Sequence, residues 1–235
     1  MKNIFLLFCL TIAHCLSAQD RIQLEKKEGT NVLDVPYLSQ PDPITCQSTC
    51  MKMVAMYFQE KSGAKMPATE KSIKQIWDEI NSGNSRPSSE RNSWTNFVWW
   101  FNKNIPDKKF KKKETADETA AIPYIIEAIN RGNPVLLSTN HTRTKGHIIL
   151  VIGYANYVPN QSTADFRLIC HDPYGAFDPE LASILFGKNR YIIGKSNVDG
   201  SEDGPGKGVS LSPDSIKRNR KEFHSAGKFV MITVE

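Results

Sequence analysis

Gln40 stands six residues before Cys46, and an apolar-rich run begins just after that cysteine. A cysteine attacks only as its thiolate, and a helix start with a histidine nearby can ionise it. A side-chain amide just upstream could donate a hydrogen bond to the oxyanion of an acyl transfer. Such a site also needs a base and a group to orient it, and candidates for both follow. His147, after Gly146, opens the apolar run 148–154; Asp172 closes the run 167–171 and leads into Pro173-Tyr174-Gly175. Singly, a histidine at the edge of a core is commonly structural, and an Asp-Pro commonly makes a turn. Jointly they could converge at one sheet edge. His147 would take the thiol proton and later give it to the leaving amine, while Asp172 held the imidazole in the right tautomer.

The elements that must bring these residues together can be read from periodicity. Residues 45–60 place Met51, Val54, Ala55 and Phe58 on one stripe, widened by Met53, Met56 and Tyr57, so the spacing predicts a broad-faced, buried helix. Asp42-Pro43 or Thr45 suits its start, which puts Cys46 in the first turn. A second helix is expected over 69–80, with Ile73, Ile76, Trp77 and Ile80 on one face, and a third over 93–102. The rings of that third helix, Trp94, Phe97, Trp99, Trp100 and Phe101, belong in the core or along a substrate cleft. A fourth helix is expected over 119–131, stopped by Gly132. Strands are expected over 134–139, 147–155, 166–171 and 229–234. Residues 61–68 and 81–92 read as loops, and 194–213, rich in glycine and charge, as a long surface flap. Helices that precede strands argue for an α+β fold rather than an alternating α/β one.

The ends and composition bound the function. Met-Lys-Asn, the apolar run 4–12 and Leu16-Ser17-Ala18 read as a secretory signal cut after Ala18, too short to span a bilayer. The chain is expected to be exported, to the periplasm or beyond, and to meet the membrane only through that signal. Removing 18 of 235 residues leaves 217, which suits one domain over 19–235 and, by expectation, a monomer. The net charge of +5 is mild and partly local. Lys108, Lys109, Lys111, Lys112 and Lys113 cluster around Phe110, a pattern expected of a solvated loop or helix face and less often of a surface for anionic partners. No nucleic-acid motif is present. Three cysteines, Cys46, Cys50 and Cys170, survive signal removal, and an odd count leaves at least one thiol unpaired within the chain. Cys50 and Cys170 are either small core residues or a disulfide beneath the site that leaves Cys46 as the lone thiol. His141, His171 and His224 lack metal-ligand spacing, and His171 is expected to point away from Asp172, so no metal or cofactor is predicted. The glycine-rich Asp203-Gly-Pro-Gly-Lys-Gly208 lacks the strand-to-helix context of a phosphate loop.

The run Val35-Pro-Tyr-Leu-Ser-Gln40, the spacing Gln-x5-Cys46, Gly132-Asn-Pro-Val-Leu-Leu-Ser138, Gly146-His-Ile-Ile-Leu-Val-Ile-Gly-Tyr154 and His171-Asp-Pro-Tyr-Gly175 resemble papain-like cysteine peptidases of the bacteriocin-processing, C39-like type, in the stand-alone branch without a transporter. The likeness covers about residues 33–60 and 120–180; residues 61–119 and 185–228 match no motif and read as insertions. It implies a papain-like α+β fold, a peptide or protein substrate, Cys46 as nucleophile, His147 as base, Asp172 as orienter and Gln40 in the oxyanion hole. One residue departs from the pattern. The family usually carries glycine after the cysteine, and here Gln47 follows, where a side chain could narrow the cleft or impair activity. Two other readings stay open: transglutaminase-like acyl transfer, which uses the same Cys, His, Asp order, and a non-catalytic peptide-binding module on the same fold.

Overall fold

The computed structural model of the protein describes residues 28–81, 93–139, 147–159, 161, 164–177, 191–192, 204–212 and 229–235. The expected signal segment, Gly146, His141, His224, and residues 194–203 and 213 of the expected flap lie outside the described residues.

Helix α1 (Cys46–Ser62) is buried from Cys46 to Phe58 apart from Lys52 and Met56. Its first turn is polar yet enclosed, and it meets its own needs locally: Ser48 and Thr49 donate their hydroxyls to the Thr45 carbonyl at 3.1 and 2.8 Å. Such bonding keeps buried hydroxyls from costing stability. The expected second helix is two pieces, α2 (Pro67–Glu70) and α3 (Ile73–Asn81). The break follows from a reciprocal cap: Gln75 N–H donates to the Ser72 hydroxyl at 3.1 Å, and Ser72 N–H to the Gln75 side chain at 2.8 Å. That pairing starts a new helix and leaves Lys71 extended. Helix α4 (Trp94–Asn104) answers the question about the aromatic crowd. Phe97, Trp100 and Phe101 are fully buried against α1 and α3, and only Trp99 is largely exposed.

The remaining elements, in chain order, are β2 (Phe110–Thr115), α5 (Glu118–Asn130), β3 (Val135–Thr139), β4 (His147–Ala155), β5 (Arg167–His171), β6 (Ala176–Phe177), β7 (Tyr191–Ile192), β8 (Val209–Leu211) and β9 (Phe229–Val234). Strand β1 (Asn31–Val32) precedes them all. Of the lysine block, Lys108 and Lys109 lie in a loop as expected, while Lys111, Lys112 and Lys113 belong to strand β2. Phe110 alone points inward and stacks on Phe101 at 4.3 Å, while Lys111 and Lys112 reach solvent and pair with Glu235 and Glu114. Lysine is poor strand material, but on an edge it blocks pairing with other chains.

The sheet runs β2-β9-β3-β4-β5-β8, with β1 on β4, and every neighbouring pair is antiparallel. Side chains alternate across it. Leu136, Ile148, Leu150, Ile152 and Ile232 face α1, α3 and α4; Val135, Leu137, Ile149, Val151, Leu168, Cys170 and Met231 face α5. The result is the expected α+β architecture, helices packed on an antiparallel sheet. The same alternation removes the disulfide idea. Cys50 lies in the layer under α1 and Cys170 in the layer under α5, with the sheet between them, and all three cysteines are thiols. Among the described residues no helix is long and apolar enough to cross a membrane.

Candidate active site

Helix α1 is laid over the beginning of β4. The Cys50 thiol donates to the Ile148 carbonyl at 3.5 Å, which fixes the helix one turn after its start. One turn back, Cys46 therefore lies beside the first residue of β4, His147. No acidic residue occupies the first turn of α1, and no side chain caps it at Thr45. The partial positive charge of the helix start is thus left to act on the Cys46 side chain.

His147 is buried, and its Nε2 lies 2.6 Å from Oδ1 of Asp172, itself fully buried at the end of β5. The Cys46 sulfur lies near enough to the same imidazole to favour its charged form. With Nε2 engaged by Asp172, Nδ1 is the nitrogen left for sulfur. Burial works against a charged imidazole, yet the Asp172 carboxylate and the Cys46 sulfur outweigh it and raise its pKa to about 10. His147 is therefore an imidazolium at neutral pH, held between two groups that favour its charge. Cys50 and Cys170 differ: desolvation in the core pushes both well above the usual thiol range, so neither ionises.

Asp172 is fixed from several directions. Its Oδ1 also accepts from Tyr174 N–H at 2.9 Å, its backbone N–H donates to the Gly206 carbonyl at 2.9 Å, and its carbonyl accepts from the Tyr37 hydroxyl at 3.2 Å. Its Oδ2 has no hydrogen-bond partner among the described residues. Gln40 is strung between two turns of the site. Its backbone N–H donates to Pro173 O at 2.8 Å, and its Nε2 to Asp42 O at 2.6 Å, in the turn that leads into α1. One amide hydrogen of Gln40 remains, while its buried Oε1 has no partner among the described residues.

All four residues picked from the sequence thus belong to one corner of the molecule, where the start of α1 meets the ends of β4 and β5. His171 takes the opposite side, as expected. Its Nε2 donates to Val35 O at 2.8 Å, and its Nδ1 accepts from Gly208 N–H at 3.1 Å, so it is a neutral structural histidine. Among the described residues no group of three His, Cys, Asp or Glu could hold a metal ion.

Gln47 does more than fill space. It is buried, and its Oε1 accepts from the Cys46 thiol at 3.4 Å. Sequence reasoning flagged its bulk but missed this contact. It also missed Tyr37 and Gly206. Tyr37 stood in view in the Val-Pro-Tyr run, and the signal for Gly206 was the density of glycines between 204 and 208, which marks backbone approached closely by something else.

A family model described as Peptidase C39-like matches residues 32–191, and it runs through 61–119, where no motif had been recognised. The crystal structure of a candidate C39-like peptidase from Bacillus anthracis is similar, at 12% identity and a TM-score of 0.45, over 87% of this chain and 97% of that one. No curated protein matches the sequence. The matched family implies a peptidase of the cysteine type. The match takes in well over half of the chain, Cys46, His147 and Asp172 included, and the chain belongs to the peptidase C39-like family.

Proposed function

We propose that this protein is an exported cysteine peptidase that hydrolyses peptide bonds through a thioester on Cys46. His147 holds the proton taken from the thiol and returns it to the leaving amine; Asp172 keeps the imidazole charged and oriented. The remaining amide hydrogen of Gln40 and the backbone at the start of α1 receive the oxyanion. Water then attacks the thioester carbonyl, His147 takes its proton, and the Cys46 sulfur leaves with the new carboxylate released. The observation that carries this reading is the buried 2.6 Å contact of His147 with Asp172, on an imidazole whose charge the Cys46 sulfur also favours. The reading of export rests on the N-terminal sequence, and N-terminal sequencing of the secreted protein should begin at Gln19.

The test is cleavage of a diverse peptide mixture by mature protein and by Cys46→Ala, read by mass spectrometry. New termini are expected from the first alone; cleavage that survives in the variant would refute Cys46 as nucleophile. The Cys46–Gln47 contact favours a second reading, a binding module that keeps the fold with its thiol occupied. Peptide retention without cleavage by either protein would select it.

A further inference from the structure

The glycine-rich segment after the family-matched region ends on the site rather than away from it. Residues 204–212 lie outside the matched span of 32–191. Yet Gly206 accepts the Asp172 backbone N–H at 2.9 Å, and it packs so closely that a Cβ there would sit 1.8 Å from Asp172 O and 2.9 Å from Gly175 O. No side chain fits between those backbones. Gly204 lies against the Tyr37 ring, where an added Cβ would be 3.1 Å from the hydroxyl oxygen that itself bonds Asp172 O. Gly208 donates to His171, the residue before Asp172, and β8 then pairs along β5, Val209 opposite Cys170. The segment thus grips residues 171–172 through their backbone on one side, and through Tyr37 on another.

We infer that residues 204–208, Gly206 foremost, are a positioning element that sets the Asp172 carboxylate on His147. One carboxylate oxygen has no partner among the described residues. Beyond the Tyr174 N–H on Oδ1, the carboxylate takes its direction from its own backbone, and Gly206 holds that backbone. The inference rests on the proposed triad for its purpose but not for its test. Gly206→Ala would force Asp172 O away from the strap and turn the carboxylate from Nε2. The control is Gly63→Ala. Gly63 ends α1 at φ 66 with nothing within 4 Å of an added Cβ, so that variant strains the backbone without touching Asp172.

The experiment follows the His147 imidazole by NMR titration and Cys46 by iodoacetamide labelling at pH 7, in folded variants. Gly206→Ala should lower the His147 titration by about one pH unit or more, the scale of a lost hydrogen bond to a charged group. It should also slow Cys46 labelling severalfold, while Gly63→Ala moves neither. Titration and labelling like the wild type in folded Gly206→Ala would overturn the inference. Where Gly206→Ala does not fold, Gly204→Ala decides, since its added Cβ would press at 3.1 Å on the Tyr37 hydroxyl that bonds Asp172 O: a lowered His147 titration supports the inference and an unchanged one rejects it. Neither readout needs a peptide to be cut. A protein that cleaves nothing yet shows the coupling keeps this inference and drops the peptidase reading.

Discussion

Asp172→Asn separates the two things a carboxylate can do for His147. Asparagine keeps Oδ1, the acceptor for both His147 Nε2 at 2.6 Å and Tyr174 N–H at 2.9 Å, so the imidazole stays oriented; only the charge goes. The charge is the larger part. Raising an imidazole from 6.5 to about 10 is worth roughly 5 kcal/mol of preference for the protonated form. Unit charges at the observed separation attract by roughly 6 kcal/mol at an effective dielectric constant of 20. The two figures are of one size, so the carboxylate charge accounts for most of the elevation even after burial has opposed it. In the variant, burial remains and only the sulfur opposes it, and His147 should titrate far below 10. A thiol without an imidazolium partner is only a few per cent ionised at neutral pH, so labelling of Cys46 by iodoacetamide at pH 7 should fall roughly tenfold or more. Peptide cleavage should fall with it, and Asp172→Ala, which loses orientation as well, should be worse. An Asp172→Asn protein that labels at the wild-type rate, with His147 still titrating near 10, would refute the assignment of that charge to Asp172.

Other outcomes follow from the same geometry. Gln40→Ala should lower kcat by roughly a hundredfold or more with little change in KM, since an oxyanion donor acts mainly in the transition state; steady-state kinetics on a cleaved peptide checks it. Gln47→Gly removes the acceptor 3.4 Å from the Cys46 thiol and should speed Cys46 labelling severalfold; slower labelling would mean that Gln47 supports the nucleophile instead. Since the native pKa of His147 lies above its unfolded value, the stability it contributes is full below pH 6.5 and is lost as pH rises toward about 10. Denaturant unfolding should show a fall of about 1.4 kcal/mol per pH unit in that window that His147→Gln lacks. His171 runs the other way. Burial foremost lowers its pKa, so its contribution is full above pH 6.5 and shrinks as pH falls below it, when Nδ1 can no longer accept from Gly208. Acid melts of the wild type and His171→Asn should diverge there.

The residues of the candidate site were more legible in the sequence than the scaffold around them. Cys46, His147 and Asp172 could be picked because each sits at the end of a strongly periodic element, and ends of buried elements are where a side chain can be both held and exposed. The strands 147–155 and 229–234 were legible to the residue, because β-branched and aromatic side chains fill them on both faces. Strand β2 was hidden by Lys111, Lys112 and Lys113, whose local preference opposes the strand that β9 imposes on it. The split between α2 and α3 turned on one reciprocal contact, Ser72 with Gln75, inside a pattern that otherwise read as continuous helix. The flap was misjudged in part for a different reason. Glycine density says that backbone needs freedom or space but not what fills that space, and only the fold reveals that Asp172 fills it. The Cys50–Cys170 bridge fails because Cys50 is set by its contact with Ile148 on one face of the sheet and Cys170 by its register with Val151 on the other.

That failure bears on how one thiol is chosen from three. An odd cysteine count is met here without any bridge, by placing each sulfur in a different medium. Cys50 donates to a backbone carbonyl under α1 and Cys170 is packed under α5; both lose water completely, and both are driven toward the neutral form. Cys46 keeps a small exposure of 7%, at a helix start, in contact with an imidazolium that a buried carboxylate sustains. Cys46 and Cys50 are one helical turn apart, so what distinguishes them is not the helix they share but what stands opposite. For Cys50 that is a neutral carbonyl of β4, and for Cys46 it is the charged ring of the residue before it. A single step along β4, from Ile148 to His147, thus separates an inert core thiol from the proposed nucleophile. The register of β4 against α1 matters to the chemistry as much as the identity of the cysteine does.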